Sequence, residues 1–278
     1  MEEITDWIRL WRELVEVRSH KRQEDQDRDP TGQGDIWRAR ARDYQAHLQR
    51  RWAQPDSTRS FVTGWLQAHP GATVLDIGAG TGAWSALLAR HARSVTAVEP
   101  SPAMIGVMEE NLAAEKITNV QIVQGAWPDV EVPPHDVTLC SHAMYGYPDL
   151  PLFVRRLVMA TNRICFLVLR AATADGLMAE AAMRIWGHPY DSPNFQVAYN
   201  ILLQMGILAN VLVEDSGSWS PWTSDSLEEA LSKIKRRFGL GQVSDYDEFL
   251  AGLLRERLTY RDGQYVWPPG AHSALVYW

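Results

Sequence analysis

The chain has 278 residues, 46% hydrophobic and 22% charged, with a formal net charge of −7; that is enough for one large domain, or a domain plus a cap, around a real core. An acidic balance counts against nucleic acid as a partner, since phosphates demand basic surface, and the two cysteines, Cys140 and Cys165, provide neither a disulfide framework nor a zinc cluster, so no metal is expected. No apolar run reaches the ~20 residues of a membrane span, and the Met1-Glu2-Glu3 start has no secretory character; a cytoplasmic location without membrane association is the expectation.

In chain order, Ile4 to Val17 places Trp7, Ile8, Trp11, Leu14 and Val15 on one helical face. The polar run Ser19 to Asp35, with Pro30, Gly32 and Gly34, reads as an exposed loop. A second helix is predicted over Ile36–Trp52, and a third, capped by Asp56, ends near His69-Pro70-Gly71. Residues 1–70 thus read as a helical cap. Its apolar faces predict either a movable lid over a binding cleft or a fixed layer behind a sheet.

From Ala72 strands alternate with helices, the mark of a parallel sheet with crossovers. Strands are predicted at Thr73–Ile77, Ser94–Val98, Val120–Val123, Val137–Cys140 and Ile164–Leu169, with helices at Ala83–His91, Pro102–Lys116 and Leu152–Ala160. Beyond Ala171 come helical stretches at Gly176–Trp186, Phe195–Met205, Leu227–Phe238 and Tyr246–Leu258, inserted helices within about 172–206 and 224–258. Ser226 and Glu229 form a capping box, and Gly239 stops that helix. A strand over Ile207–Val213, a tight turn at Arg261-Asp262-Gly263-Gln264 and a terminal strand Ser273–Trp278 complete the pattern. The basic cluster Lys233, Lys235, Arg236 and Arg237 falls at a helix end, where cations meet the dipole, and reads as structural.

The informative segment is Asp76-Ile77-Gly78-Ala79-Gly80-Thr81-Gly82, a buried strand running into a glycine-rich turn that opens a helix. Ligands bind at such strand ends in open α/β sheets. The spacing is G-x-G-x-G, not the dinucleotide G-x-G-x-x-G, and Asp76 would repel a pyrophosphate but attract an ammonium. The second strand ends in Glu99, placed to accept both hydroxyls of a ribose, and Pro100-Ser101-Pro102-Ala103-Met104 starts a helix that offers Met104 to a purine.

Asp76 to Gly82 and Val95 to Met104 ("V-x-x-V-E-P-S-x-x-M") together resemble the first two motifs of class I S-adenosylmethionine-dependent methyltransferases, in their small-molecule branch. The likeness spans roughly Thr73 to Arg170. It implies a doubly wound, seven-stranded, mostly parallel α/β sheet, with S-adenosyl-L-methionine as cofactor. It further implies that Gly78, Gly80 and Gly82 line the methionine part, that Asp76 faces the amino end and that Glu99 holds the ribose. Ala79, Pro100, Ser101, Met104, Gly125 and Ser141 are expected at the cofactor with them. The third motif departs from the family: Ala126 stands where an Asp usually binds the adenine amine, leaving Trp127 to flank the ring, or to pack as core, and Asp129 to reach it. Trp37, Ala41 and Tyr44 match a "W-x-x-x-A-x-x-Y" helix whose Tyr approaches the cofactor, and Arg38 and Arg40 could meet substrate there.

In the loop Cys140–Asp149, which lacks an Asn/Asp-Pro-Pro-Tyr run, His142 is the candidate base or else a cover for the cofactor, and Tyr145 or Tyr147 could shape the pocket. Gly187–Phe195 reads as a lid or as a surface linker. The expected activity is methyl transfer to a small molecule. The alternatives are an RNA or protein acceptor, or a cofactor-binding protein without turnover.

Overall fold

Val74, Leu75, Asp76 and Ile77 are all buried, the pattern of a strand covered on both faces. They lie in β1 (Thr73–Ile77), in a computed structural model that describes residues 5–27, 35–173, 176–214, 222–268 and 271–278. Ile4 and the Pro30, Gly32 and Gly34 stretch of the expected loop lie outside the described residues. β1 pairs in parallel with β2 (Ser94–Glu99) and β4 (His135–Ser141), and these pair in turn with β3 (Val120–Gln124) and β5 (Thr161–Ala172). β10 (Ala271–Tyr277) inserts antiparallel between β5 and β6 (Asn210–Glu214), which gives a seven-stranded sheet of order β3-β2-β1-β4-β5-β10-β6. Strand order reverses between β1 and β4, so a crevice opens there at the carboxyl ends of the strands.

Alternate residues feed two helical layers. Leu75 and Ile77 share a core with Leu167, Leu169, α6 (Leu150–Met159) and α8 (Phe195–Gln204), whereas Val74, Val95, Phe166 and Val168 pack with α3 (Ser57–Ala68) and α4 (Ala83–Ala89). α5 (Pro102–Ala114) joins α4 through Met108 and Leu112. Cys140 and Cys165 are buried in their strands, as expected of structural thiols, and burial pushes the Cys165 thiol up to about 12.

The N-terminal helices behave as three parts. α1 (Trp7–Asp27) packs in the core against α8 and α6 with Leu10, Trp11, Leu14 and Val15. Trp11 is fully enclosed, and its indole N–H donates to the Tyr147 carbonyl at 2.9 Å. α2 (Ala41–Trp52) lies on α5 through Ala41, beside Met104 and Val107. α3 is capped by Asp56, which accepts from the Arg59 N–H at 2.7 Å, and Glu214 accepts from Ser57 at its other side. Two boundaries differ from expectation. α1 continues to Asp27 because Ser19–Asp27 is rich in Lys, Arg, Gln and Glu and holds no Gly or Pro; charge alone does not break a helix. The second helix starts at Ala41 rather than Ile36, after a turn.

A second module was only half foreseen. α7 (Leu177–Trp186), α9 (Leu227–Arg237) and α10 (Asp247–Arg257) bury Ala181, Ile234, Leu250 and Trp267 together. A three-stranded sheet of order β7-β9-β8 closes it, from β7 (Thr223–Ser224), β8 (Thr259–Arg261) and β9 (Gln264–Val266). The expected turn is its hairpin, with Asp262 at φ 49° and Gly263 at φ 84°, as a two-residue primed turn requires. Among the described residues no helix is long and apolar enough to cross a membrane.

Because Trp11 sits in the main core, Trp11→Ala should cost about 3–5 kcal/mol of global stability, the range for a large aromatic truncated in a core. Chemical denaturation monitored by far-UV circular dichroism checks this; a loss below ~1 kcal/mol would show α1 to be detachable.

Candidate active site

At the switch point lies a cavity of about 880 Å³, near the top of the range for small-molecule sites. One half is built by the glycine turn. The N–H groups of Gly78 and Ala79 donate to the Val98 carbonyl at 2.8 and 3.0 Å, stitching the turn to the end of β2. Gly78 has φ 68°, and a Cβ there would fall 2.2 Å from the Ala143 Cβ, so no other residue fits without a shift. Gly80, at φ 58°, donates its N–H to Glu99 Oε2 at 2.8 Å, and Glu99 Oε1 accepts from the Ser101 N–H at 3.0 Å. Burial raises the Glu99 carboxyl above its usual range, against the pull of these hydrogen bonds.

Ser101 then caps α5, its Oγ accepting from the Met104 N–H at 3.1 Å and donating to Asp35 at 2.8 Å. Asp35 also accepts from the N–H groups of Ala103 (3.1 Å) and Trp37 (3.0 Å); burial opposes its charge, but these bonds prevail and hold its carboxyl below the usual range. Asp76 is buried, accepts from Ser85 Oγ at 2.6 Å, and is pushed by burial up to about 7.

The β4 exit carries His142 at φ 56°, a left-handed conformation that costs a non-glycine residue of order 1 kcal/mol. Its Nδ1 shares a hydrogen bond of 3.0 Å with the Tyr145 hydroxyl, whose oxygen also accepts the Arg170 N–H at 2.5 Å. The far half of the cavity is framed by Arg170, Asp191, Ser192 and Arg237, with Met178, Trp222, Trp267 and Pro268 around them. Among the described residues no group of three or more His, Cys, Asp or Glu could hold a metal ion.

Residues 74–162 match the model of a methyltransferase domain family. Over 101 residues the chain is 30% identical to malonyl-[acyl-carrier protein] O-methyltransferase of Serratia marcescens, covering 36% of this chain and 38% of that protein. Over 64 residues it is 33% identical to a probable ribosomal RNA small subunit methyltransferase A of Methanosphaera stadtmanae, covering 23% and 24%. The chain thus spans less than two fifths of the length of these curated relatives. The YcgJ protein of Bacillus subtilis shares the fold at TM-score 0.51 and 18% identity, covering 80% of this chain and 96% of that one. Residues 74–162 are thus similar to methyltransferase domains, and the chain shares its fold with the YcgJ protein.

Tyr44, Gly78, Gly80, Glu99, Pro100, Ser101, Met104, Gly125, Ala126, Trp127, Ser141, His142 and Tyr145 line the large cavity. Asp76 and Ala79 line a small adjoining recess with Gly78, Gly80 and Ser141. Gly82 lines neither. It opens α4 at φ 82°, and a Cβ would meet Met108 Cγ at 2.4 Å, so packing accounts for this glycine. Asp129 is exposed and Tyr147 packs on Phe153; neither reaches the cavity, nor do the exposed Arg38 and Arg40. Trp127 combines its two readings, lining the cavity while its indole N–H donates to the Phe153 carbonyl at 3.3 Å.

The Gly187–Phe195 segment is neither surface linker nor free lid: Asp191, Ser192 and Asn194 are buried, and Pro193 faces the cavity. Sequence reasoning passed over Asp35, Arg51, Arg170 and Arg237. Arg170 had a usable signal, since it stands near the carboxyl end of a central strand.

The donor set fits the cofactor of the family. A cradle of positive-φ glycines lies opposite Tyr44, whose Cε1 is 4.0 Å from where a Gly80 Cβ would sit, with the buried carboxyl of Asp76 before the turn and that of Glu99 accepting from Gly80 within it. An acid raised by burial keeps its proton in the folded state after the unfolded chain has lost it. The contribution of Asp76 to stability is therefore greatest below pH 4 and is lost as pH climbs through about 7. Asp76→Asn should flatten that part of the pH–stability curve and leave the protein at least as stable as wild type at pH 8, as read by denaturant midpoints from pH 5 to 8.

Proposed function

We propose that this chain transfers a methyl group from S-adenosylmethionine to a small molecule held in the same cavity. The observation that carries the reading is the walling of that cavity on two sides. α2 supplies Tyr44, His47, Leu48 and Arg51, while the C-terminal module supplies Trp222, Trp267 and Pro268, a shape suited to a compact acceptor. S-adenosylmethionine supplies a methyl already activated on a sulfonium, so the protein contributes mainly by alignment and exclusion of water.

In this reading Glu99 binds the ribose hydroxyls with the acceptor capacity that Gly80 and Ser101 leave it, and Asp76 meets the amino group. Met104 and Trp127 flank the adenine. Ala126 cannot bond the adenine amine through its side chain, so backbone groups there take that part. His142, oriented by Tyr145, removes a proton where the acceptor carries one.

A ribosomal RNA or protein acceptor is the competing reading, since short matches to such methyltransferases occur. Its electrostatics are poor. The net charge is −7, and three of the four cations of the basic cluster are paired within the fold: Lys233 with Glu229, Lys235 with Asp247 and Arg237 with Asp191.

Labelled S-adenosylmethionine offered with metabolite pools, RNA and protein lysate should mark the small-molecule fraction. Label in RNA or protein instead would overturn the acceptor class; S-adenosylhomocysteine binding without label anywhere would favour a non-catalytic role. Glu99→Ala should weaken S-adenosylhomocysteine binding by roughly 1.5–3 kcal/mol, the scale of hydrogen bonds to a charged group, as titration calorimetry reads it. Hydrogen exchange should show the ligand protecting Tyr44–Arg51 of α2 and leaving Leu10–Val15 of α1 unchanged, because only α2 lines the cavity. Equal responses in both helices would refer the N-terminal segment as a whole to the closure.

A further inference from the structure

One wall of the far half comes from the C-terminal module and the segment that follows α7. Leu177, Met178, Pro193, Trp222, Trp267 and Pro268 line the cavity there. The two tryptophans are held by the protein's own contacts. They flank the β7–β9 pairing of Thr223 with Val266, and the Trp267 backbone N–H donates to the Trp222 carbonyl at 2.9 Å. Trp267 is buried, and its indole N–H donates to Ser224 Oγ at 3.0 Å. Trp222 packs edge-to-face on it, with ring centroids 5.8 Å apart and planes at 68°. Arg237, paired with Asp191 at 2.6 Å, stands over the Trp222 ring at 6.0 Å.

Trp222 nevertheless stays 49% exposed, and the cavity is part of what it faces. A tryptophan has a large apolar surface and is on average highly buried. Leaving half of one open beside a cavity forgoes that burial until a ligand completes it. The shape of the wall says which ligand. Trp222, Trp267, Pro193 and Pro268 are rings with few torsions, so ordering them around a ligand costs little entropy. An aliphatic body would gain only the area it buries. A flat aromatic body gains ring–ring contact with the indole as well, and a sulfur contact with Met178. This wall stands apart from the ribose end of the site. Glu99 ends β2, three strands from the β5 that carries Arg170, roughly 14 Å at ~4.8 Å per strand. A cavity of about 880 Å³ is near the top of the range for a single ligand, which leaves space for an acceptor beside the cofactor.

We infer that the methyl acceptor carries a planar aromatic ring system, and that Trp222, backed by Trp267, receives that ring against Met178 and Pro193. The inference rests on the small-molecule reading and names the kind of body that reading requires. Trp222 is then a specificity residue, delivered to the crevice by the module.

The test uses the full-length protein and begins by titrating S-adenosylhomocysteine, since failure there counts against the cofactor reading alone. The loaded protein is then titrated with 2-naphthylmethanol against decahydro-2-naphthylmethanol, and with benzyl alcohol against cyclohexylmethanol. Each pair shares its skeleton and hydroxyl, so burial of area alone gives the aromatic member no advantage. At least one aromatic member should bind about threefold or more tightly than its saturated partner, the scale of ring–ring contacts. Trp222→Leu should remove the preference while leaving S-adenosylhomocysteine affinity unchanged, and Trp222→Phe should keep part of it. A merely structural Trp222 would lower the melting temperature in the Leu variant without changing the ranking of aromatic and saturated ligands. Equal binding of both members by the wild type, or a preference that survives in a folded Trp222→Leu, overturns the inference alone. Binding of neither member to the loaded protein counts against the small-molecule reading, and the inference falls with it. Should the Leu variant fail to fold, the wild-type ranking and the Phe variant decide.

Discussion

The cofactor half of the site depends on one buried carboxylate. Glu99 takes the Gly80 N–H on one oxygen and the Ser101 N–H on the other, tying the turn after β1 to the start of α5. Ser101 in turn caps α5 and donates a hydrogen bond from its hydroxyl to Asp35. The glycines make this clasp possible, because only a backbone tolerant of positive φ can bring its N–H groups so close to a neighbouring strand end. Burial makes it strong and also expensive, since a carboxylate removed from water must have its hydrogen bonds supplied. A ribose would supply more of them.

The clasp also explains why the N-terminal segment is attached where it is. Asp35 binds the first turn of α5, where helix N–H groups lack partners, and the chain then lays α2 over the same helix. Tyr44 packs edge-on to Trp37 at 5.3 Å and faces the cavity near Gly80. α1 serves a different purpose. Its apolar face fills the core beside α8, so this part of the extension is a structural member while α2 is a wall of the site.

The far half is made by insertion. A compact unit of α7, α9, α10 and a small sheet is placed beyond β5 and returns to the main sheet through β10, which brings Arg237 and Trp267 to a crevice begun by Arg170. The half beside the glycine turn is lined by Asp35 and Glu99, and the far half by Asp191 with the arginines it pairs, Arg170 and Arg237.

The sequence by itself determined the alternation of strands and helices, the glycine turn, Asp76 and Glu99, because these depend on period, on backbone chemistry and on neighbours a few residues away. The Asp56 cap, the Ser226 cap and the Asp262-Gly263 turn were legible for the same reason. Helix α1 was drawn too short because a charged stretch without Gly or Pro is a weak signal in either direction. Three things were decided only by the tertiary structure. Gly82 answers to Met108, across the helix layer, and no local pattern records that contact. Arg237 looked like one more cation at a helix end, and only its meeting with Asp191 and Arg170, 46 and 67 residues away, gives it a place in the cavity. The β7-β9-β8 sheet pairs a two-residue strand with a distant hairpin, which hydrophobic period cannot show. Local propensity reports on the chain's own backbone; the far half of this cavity is made of contacts between segments, and these exist only once the sheet has set their distances.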